Sequence, residues 1–390
     1  MKRTSIHLVI SLILLLLLRQ TYARLPQPLH TLARRNGNQI PSTPFLQGGP
    51  FLQGGAATTT TTTTSSPKKP RVLSNLSTRG PSAVVMIAAI YTTLHYYKDR
   101  GLTALILLGQ VQMARELSAL VSNPQIDRHL PLFGLQRKVW LLAGLSSYTL
   151  PTMLECYPFL QKGFNKALNE ALASRAPKVS KALGSETFDL ASTLPLTSFS
   201  LFAFSLVLLI LSISNLPNLS PPLIKYVLGQ ASSTFCYLSY ILPLSSIIIS
   251  TATTNGLEYA VFPAILVALN DTLAYIFGCL FGRHKLLPTL SPNKTVEGFV
   301  GAWVFTTIIA YYLCVLPSFN IGRCNSLAFA TFASLVAPFS GFLASSLKRA
   351  YCVKDFGTLI PGHGGVVDRV DCQLVLGGFV GVWVKFFMEG

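Results

Sequence analysis

A dense cluster of charged side chains and glycines lies between residues 345 and 371. Four basic residues, three aspartates and one histidine fall within 27 positions. Two aspartates three positions apart share a helical face and can offer oxygen ligands to a divalent cation, while nearby cations complement phosphate oxygens. The polar members are Ser345, Lys348, Arg349, Lys354, Asp355, His363, Asp368, Arg369 and Asp371, with Gly362, Gly364 and Gly365 around the histidine.

These glycines favour a ligand site over a solvated loop, because glycine lets backbone approach a ligand closely. A metal ion and several cations together suit the binding of a nucleotide triphosphate. Arg349 has a planar fork suited to bidentate phosphate contact, whereas Lys348 is a flexible point charge. His363 either contacts a phosphate or holds the glycine turn.

A second cluster occupies residues 270–301. Asp271 lies inside a long apolar run, where an acid is costly unless it is paired or binds a cation. A purely structural, hydrogen-bonded aspartate is the alternative. The segment Ser291–Thr295, with the sequence SPNKT, predicts a proline-started turn that leads into a helix. Such a turn offers backbone N–H groups, two hydroxyls and Lys294 to a phosphate.

The elements that carry both clusters are predicted to be membrane helices. Half of the 390 residues are hydrophobic and 12% are charged, against about 25% charged in an ordinary soluble domain. Because backbone polar groups in hydrocarbon must be satisfied within a segment, the expected fold is all-α and polytopic, with eight or nine transmembrane helices. Arg115 and Glu116 are interpreted as interfacial anchors. The candidate spans lie near residues 82–97, 102–122, 138–158, 197–217, 229–250, 259–281, 298–316, 326–347 and 374–388.

Residues 1–80 are predicted to be a leader. Lys2 and Arg3 precede a short apolar stretch, which predicts a signal peptide at residues 1–23. Residues 24–80 are rich in Arg, Ser, Thr, Pro and Gly, which predicts a disordered targeting or linker segment. This arrangement fits a bipartite leader into a plastid bounded by extra membranes, and it fits an endoplasmic reticulum signal with an uninformative tail equally well.

The membrane domain is predicted to span residues 81–390, with its catalytic part at 255–390. Residues 1–98 hold eleven basic side chains and no acid, whereas the rest of the chain holds 20 basic and 14 acidic side chains. Nucleic-acid binding is therefore disfavoured, and a modest positive excess suits anionic lipids and nucleotide phosphates. None of the seven cysteines forms a CxxC pair, so free thiols are expected rather than disulfides or a zinc site.

At these clusters the chain resembles the phosphatidate cytidylyltransferase family, also called CDP-diacylglycerol synthases, and in particular its eukaryotic branch. The sequences S-x-x-K-R-x4-K-D, from Ser345 to Asp355, and G-H-G-G-x-x-D-R-x-D, from Gly362 to Asp371, match the family's signature with the correct spacing. Residues 270–301 resemble its upstream block.

Two positions depart from the family pattern. Asn293 stands where the family usually has a lysine, which removes one phosphate contact. Gly341 stands where bacterial members have an aspartate implicated in metal binding, a change that the eukaryotic branch shares. Asp271 is a candidate substitute for that ligand.

The resemblance implies a nucleotidyltransferase that converts CTP and phosphatidate into CDP-diacylglycerol and pyrophosphate for phospholipid biosynthesis. It implies Mg²⁺ as the cofactor, leaves a place for a second, monovalent cation such as K⁺, and implies homodimers in a lipid bilayer. The implied metal ligands are Asp368 with Asp371 or Asp271. The implied catalytic residues are Lys348, Arg349, Lys354, Asp355, His363, Asp368, Arg369 and Asp371, and the implied substrate-binding residues are Ser291, Lys294, Thr295, Ser345, Gly364 and Gly365.

Two other classes of function share some of these features. Intramembrane charges beside glycine-rich breaks also mark transporters, although no internal repeat is visible and the charges lie in one segment. A CTP-dependent lipid kinase, such as a polyprenol kinase, would share the membrane helices and the nucleotide, but the complete signature disfavours it.

Overall fold

A computed structural model of the chain describes residues 71–127, 131–175, 190–214, 221–288, 290–315, 319, 321–359 and 364–388. The predicted signal peptide lies outside the described residues, as do His363 and the leader up to residue 70. Helix α1, Arg71–Val121, begins inside the segment that the sequence assigns to the leader.

The described chain divides into two compact units. The first unit contains residues 121–246, and the second contains residues 71–120 and 247–388. The predicted catalytic part at 255–390 therefore shares a unit with α1.

The first unit is helical. Its core includes Val139, Phe204 and Leu208, which pack between two long helices. Two π-helical turns, Leu145–Thr149 and Tyr237–Ile241, interrupt its longer helices. Its helices are α2 (Pro124–Asp127), α3 (Pro131–Gly144), α4 (Leu150–Cys156), α5 (Pro158–Arg175), α6 (Leu190–Ser214) and α7 (Pro221–Cys236), and α8 (Leu242–Thr254) begins in it.

The second unit is built around a core of aromatic and aliphatic side chains. Phe332 and Phe379 stack with ring centroids 3.9 Å apart, and Phe262 and Leu376 are fully buried. Besides α1, its elements are α9 (Glu258–Phe281), β1 (Lys285–Leu287), β2 (Ser291–Thr295), α10 (Val296–Leu313), α11 (Arg323–Leu335), α12 (Pro338–Ala350) and α13 (Val367–Phe387).

The helices confirm an all-α, polytopic membrane protein. Six helical stretches among the described residues are long and apolar enough to cross a membrane. The two predicted spans at 82–97 and 102–122 lie on either side of Lys98, a residue with non-helical backbone angles at which α1 kinks. The count of eight or nine spans stays a prediction. The six stretches are Ala88–Val121, Leu223–Thr254, Glu258–Phe281, Val296–Leu313, Arg323–Ala350 and Val367–Phe387.

Two local features of the second unit position its polar residues. The predicted span at 326–347 is two helices, because the chain turns before Pro338 and α12 starts at that proline. Strands β1 and β2 form a short antiparallel hairpin between α9 and α10. All seven cysteines are free, as expected.

Candidate active site

A buried ion pair joins α12 to α13. Lys348 Nζ lies 2.7 Å from Asp368 Oδ1, and the side chains are only 15% and 6% exposed. Lys348 sits in the last turn of α12 and Asp368 in the first turn of α13, where each charge opposes the partial charge of its helix end. The pair holds the two helix ends that flank the glycine-rich loop.

The second oxygen of Asp368 fixes the loop itself. Asp368 Oδ2 accepts hydrogen bonds from the backbone N–H groups of Phe356, at 2.8 Å, and Gly365, at 3.1 Å. Lys348 Nζ also lies 5.6 Å from the centre of the buried Phe356 ring. Both carboxylate oxygens of Asp368 are therefore engaged by protein groups.

Four further charges surround this pair. Asp271, on α9, interacts electrostatically with Lys294 and Arg369. Asp371, one turn beyond Asp368 on α13, interacts with Asp271 and Lys348. Residues far apart in the sequence thus bring three carboxylates and three cations into one region of the second unit.

The hairpin carries Lys294 into this region. Lys294 Nζ lies 4.6 Å from the centre of the Phe342 ring on α12, and that ring is buried. The turn predicted for Ser291–Thr295 is wrong, because this segment is strand β2, paired with β1. A proline at the second position of a two-stranded sheet is acceptable, since an edge strand tolerates a missing donor. The segment does lead into a helix, as predicted.

Thr295 has a structural partner. Its hydroxyl accepts the Gly298 N–H at 3.2 Å and caps α10, and the residue is 6% exposed. Glu297, in the first turn of α10, accepts the backbone N–H groups of Arg283 and His284 at 3.0 and 3.1 Å. These contacts fix the hairpin to α10, and among the described side chains of Ser291–Thr295 it is Lys294 that interacts with the charged cluster.

The remaining predicted residues lie around this core. Ser345 donates its hydroxyl to the Gly341 carbonyl one turn earlier, at 2.7 Å. Arg349, Lys354 and Asp355 are exposed.

Gly364 and Gly365 both touch carboxylate groups of the protein. Gly364 has a φ of +83°, and a Cβ there would lie 3.2 Å from Asp368 Oδ2. A Cβ on residue 365 would lie 2.5 Å from Glu116 Oε2. The geometry thus explains both glycines without a ligand, and their predicted contact with substrate stays a prediction.

Comparison with known proteins places the whole arrangement in one family. The profile of the cytidylyltransferase family matches residues 77–387. The chain belongs to the cytidylyltransferase family. It is 34% identical over 215 residues to phosphatidate cytidylyltransferase of Saccharomyces cerevisiae. The match covers 43% of this chain and 47% of the yeast protein.

Two more relatives extend this family assignment. Phosphatidate cytidylyltransferase 1 of Arabidopsis thaliana is 29% identical over 333 residues, or 74% of this chain and 73% of the plant protein. Phosphatidate cytidylyltransferase 2 of the mouse is 35% identical over 185 residues, or 35% of this chain and 41% of the mouse protein. The chain thus spans about half the length of several cytidylyltransferase relatives, and more of the plant protein.

The resemblance to this cytidylyltransferase family implies Mg²⁺, and two carboxylates offer suitable oxygens. Asp371 Oδ1 accepts the Cys372 N–H at 2.8 Å, and Asp371 Oδ2 points toward Gly341, where an added Cβ would lie 3.4 Å away. Asp271 is exposed and close enough to Asp371 for their charges to interact. Mg²⁺ usually binds one or two protein carboxylates and keeps waters or phosphate oxygens as its other ligands. The pair fits that pattern, although no group of three His, Cys, Asp or Glu residues suited to a metal occurs within the described ranges.

Sequence reasoning missed one residue of this candidate site. Glu116 is 4% exposed and bonded to the start of α13, so its interpretation as an interfacial anchor is wrong. An acid within an apolar stretch is costly unless it has partners, and that cost is the signal that could have identified it.

Proposed function

We propose that this chain is a phosphatidate cytidylyltransferase, which converts CTP and phosphatidate into CDP-diacylglycerol and pyrophosphate. The observation that carries the proposal is the convergence of Lys294, Lys348 and Arg369 with Asp271 and Asp371 in one unit of a membrane protein. A nucleotide and a lipid phosphate are both polyanions, and these cations lie beside carboxylates that suit a divalent metal.

The proposed reaction is one displacement at phosphorus. A phosphate oxygen of phosphatidate forms a bond to the α-phosphorus of CTP, and the bond from that phosphorus to the oxygen leading to the β-phosphate breaks. The bonding electron pair leaves with pyrophosphate. Because the attacking oxygen is already anionic, the protein's task is to bring two polyanions together and to stabilise charge on the leaving group.

The residues divide this task. Lys294 and Arg369 neutralise phosphate oxygens beside Asp271, while Lys348, held by Asp368, presents a fixed positive charge to the same region. Exposed Arg349 and Lys354 attract the incoming anions from the rim. Mg²⁺ would be held by Asp271 and Asp371 and would supply positive charge to the triphosphate. In this proposal Asp368 organises the loop. The proposal also includes a second, monovalent cation such as K⁺.

A labelling experiment tests the reaction. The purified full chain is incubated with phosphatidate vesicles and CTP labelled at the α- or the γ-phosphate. The proposal expects α-label in CDP-diacylglycerol and γ-label in pyrophosphate. γ-Label in lipid would indicate a CTP-dependent kinase, and label in neither lipid product would overturn the proposal and leave the transporter class. Lys294→Gln should reduce turnover strongly, whereas the matched control Lys225→Gln, at an exposed lysine of α7, should not.

The proposal extends to assembly and location. The family resemblance supports a homodimer, which crosslinking in intact membranes would detect. The chain is an integral membrane protein, and we assign it to the endoplasmic reticulum or a plastid membrane on the composition of residues 1–80. A fluorescent fusion to those residues distinguishes the two destinations.

A further inference from the structure

A buried carboxylate from the first described helix reaches the glycine-rich loop. Glu116 Oε1 accepts the Val366 N–H at 2.9 Å and the Gln112 side-chain amide at 3.1 Å. Glu116 Oε2 accepts the Val367 N–H at 3.0 Å. The residue is 4% exposed and lies 250 positions before the backbone that it binds.

These contacts cap α13. The first N–H groups of a helix have no partner inside the helix and carry partial positive charge. Val366 precedes α13 and supplies no side-chain cap of its own. Glu116 supplies the missing acceptor from another helix, so the start of α13 is occupied by a protein carboxylate instead of a substrate phosphate.

Two glycines make room for this carboxylate. The three heavy atoms nearest to a Cβ on residue 357 would all belong to Glu116, with Oε1 at 3.0 Å. A Cβ on Gly365 would also approach Glu116, and in addition the backbone nitrogen of residue 357, at 2.8 Å. Gly357 is therefore the position at which a methyl group tests the contact with Glu116 most directly.

Glu116 and Asp368 bind neighbouring backbone groups beside the glycine-rich loop. Asp368 binds the N–H groups of Phe356 and Gly365, and each of these residues is next to a residue in contact with Glu116. Asp368 also binds Lys348. A displacement of Glu116 would therefore change the position of the loop and of the charge that Lys348 presents.

We propose that Glu116 is a positioning residue for cytidylyl transfer: it fixes the two described ends of the loop, at residues 356–357 and 365–366, against α13 and so orients the Lys348–Asp368 pair. Glu116 acts through these groups and does not contact the substrate. This inference rests on the proposed function, since it assigns Glu116 a role in that reaction.

Glu116→Gln tests the role, because it keeps the size of the side chain but turns an N–H₂ group toward a backbone donor. We expect kcat to fall about 10- to 100-fold, the usual effect of removing a group that orients a ligand or catalytic residue. The Mg²⁺ concentration for half-maximal activity should stay unchanged, because Asp271 and Asp371 are untouched. Hydrogen exchange at the amides of Val366 and Val367 should accelerate. The matched control is Glu155→Gln, at an exposed glutamate of α4, which should change none of these quantities.

A double-mutant cycle separates positioning from general stability. Gly357→Ala should slow turnover in the wild-type background and have a smaller effect in Glu116→Ala, because the atoms that clash with the new methyl group are gone. Cys352, between α12 and the loop, and Cys324, at the start of α11, are both exposed. The ratio of the alkylation rate of Cys352 to that of Cys324 therefore reports loop displacement, even in a variant without turnover. We expect Glu116→Gln to change that ratio.

Three results would overturn the inference: normal kcat in Glu116→Gln, unchanged exchange at residues 366–367, or strictly additive effects of the two substitutions. If the wild-type chain makes no CDP-diacylglycerol, the proposed function fails and the role in transfer fails with it. The exchange and alkylation measurements then still decide whether Glu116 clamps the loop. If Glu116→Gln does not fold, Gly357→Ala alone must change the alkylation ratio, and an unchanged ratio refutes the clamp.

Discussion

Each unit contains a polar network, but the described networks differ in the charge that they gather. In the first unit, Gln230 is 1% exposed and links Arg137, Tyr226 and Asp127 by hydrogen bonds of 3.0, 2.5 and 3.3 Å. That network contains one acid and one cation, separated by neutral groups. The cluster in the second unit contains three acids and three cations. A network of the first kind satisfies buried groups, whereas the second can also receive a charged ligand.

The comparison predicts opposite phenotypes. Substitutions of the carboxylates proposed to hold Mg²⁺ should reduce turnover more than stability, and substitutions in the Gln230 network should reduce stability alone. Each experiment below uses full-length protein in detergent with phosphatidate, and reports kcat and thermal unfolding on the same preparation.

The largest loss of activity is expected from Asp371→Asn. This change keeps the shape of the side chain but removes one of the two carboxylates proposed to hold Mg²⁺. We expect kcat to fall about 10²- to 10³-fold, as on removing one preorganised catalytic contact, and the Mg²⁺ requirement to rise. Near-normal turnover in the folded variant would show that the metal is held elsewhere.

Asp368→Asn tests whether Asp368 binds the metal or organises the loop. It leaves Lys348 buried without its counter-charge, and breaking one side of a buried pair costs about 3–5 kcal/mol. We expect turnover to fall about 10- to 100-fold with an unchanged Mg²⁺ requirement. An increased Mg²⁺ requirement would instead support the role predicted from the sequence, in which Asp368 is itself a metal ligand.

Lys348→Arg and Arg349→Lys test which neighbour matters more. The planar fork of Arg349 would by itself make Arg349→Lys the more damaging change, but Lys348 is the buried partner of Asp368 and Arg349 is exposed. We now expect Lys348→Arg to cost about tenfold in kcat/KM for CTP, because a larger planar group must fit beside Phe356. Arg349→Lys should stay within about twofold, as exposed substitutions usually do. The reverse order would restore the first assignment.

The smallest effect on activity is expected from Gln230→Leu. It removes the hydrogen-bond partner of Arg137 and one of the donors to Asp127, and unsatisfied buried groups cost about 1–3 kcal/mol. The thermal unfolding midpoint should fall while kcat is unchanged. A loss of turnover without a loss of stability would remove the contrast between the two units.

The sequence predicted the fold class, the family and part of the set of residues that converge, because apolar length and an extended spaced motif are both local signals. It could not predict Glu116 as a cap, since the partner lies 250 positions away and neither end carries a local sign of the other. The hairpin was missed because Pro292 argues against a strand at β2, and because β1 has only 3 residues, too few for an alternating pattern to be visible. The different environments of Lys348 and Arg349 depend on how the following loop folds, which adjacency in the sequence does not determine.

The contact between Glu116 and α13 also sets an order of events during synthesis. The Glu116 carboxylate is made about two thirds of a chain length before its backbone partners, and it can cap α13 only after the start of that helix has been made. Closing so long a loop carries an entropic cost that is recovered only when the C-terminal contacts form. A chain that stops before residue 366 therefore has most of its membrane helices, but its Glu116 lacks the two backbone N–H groups that it binds. Such a product is a natural substrate for membrane quality control.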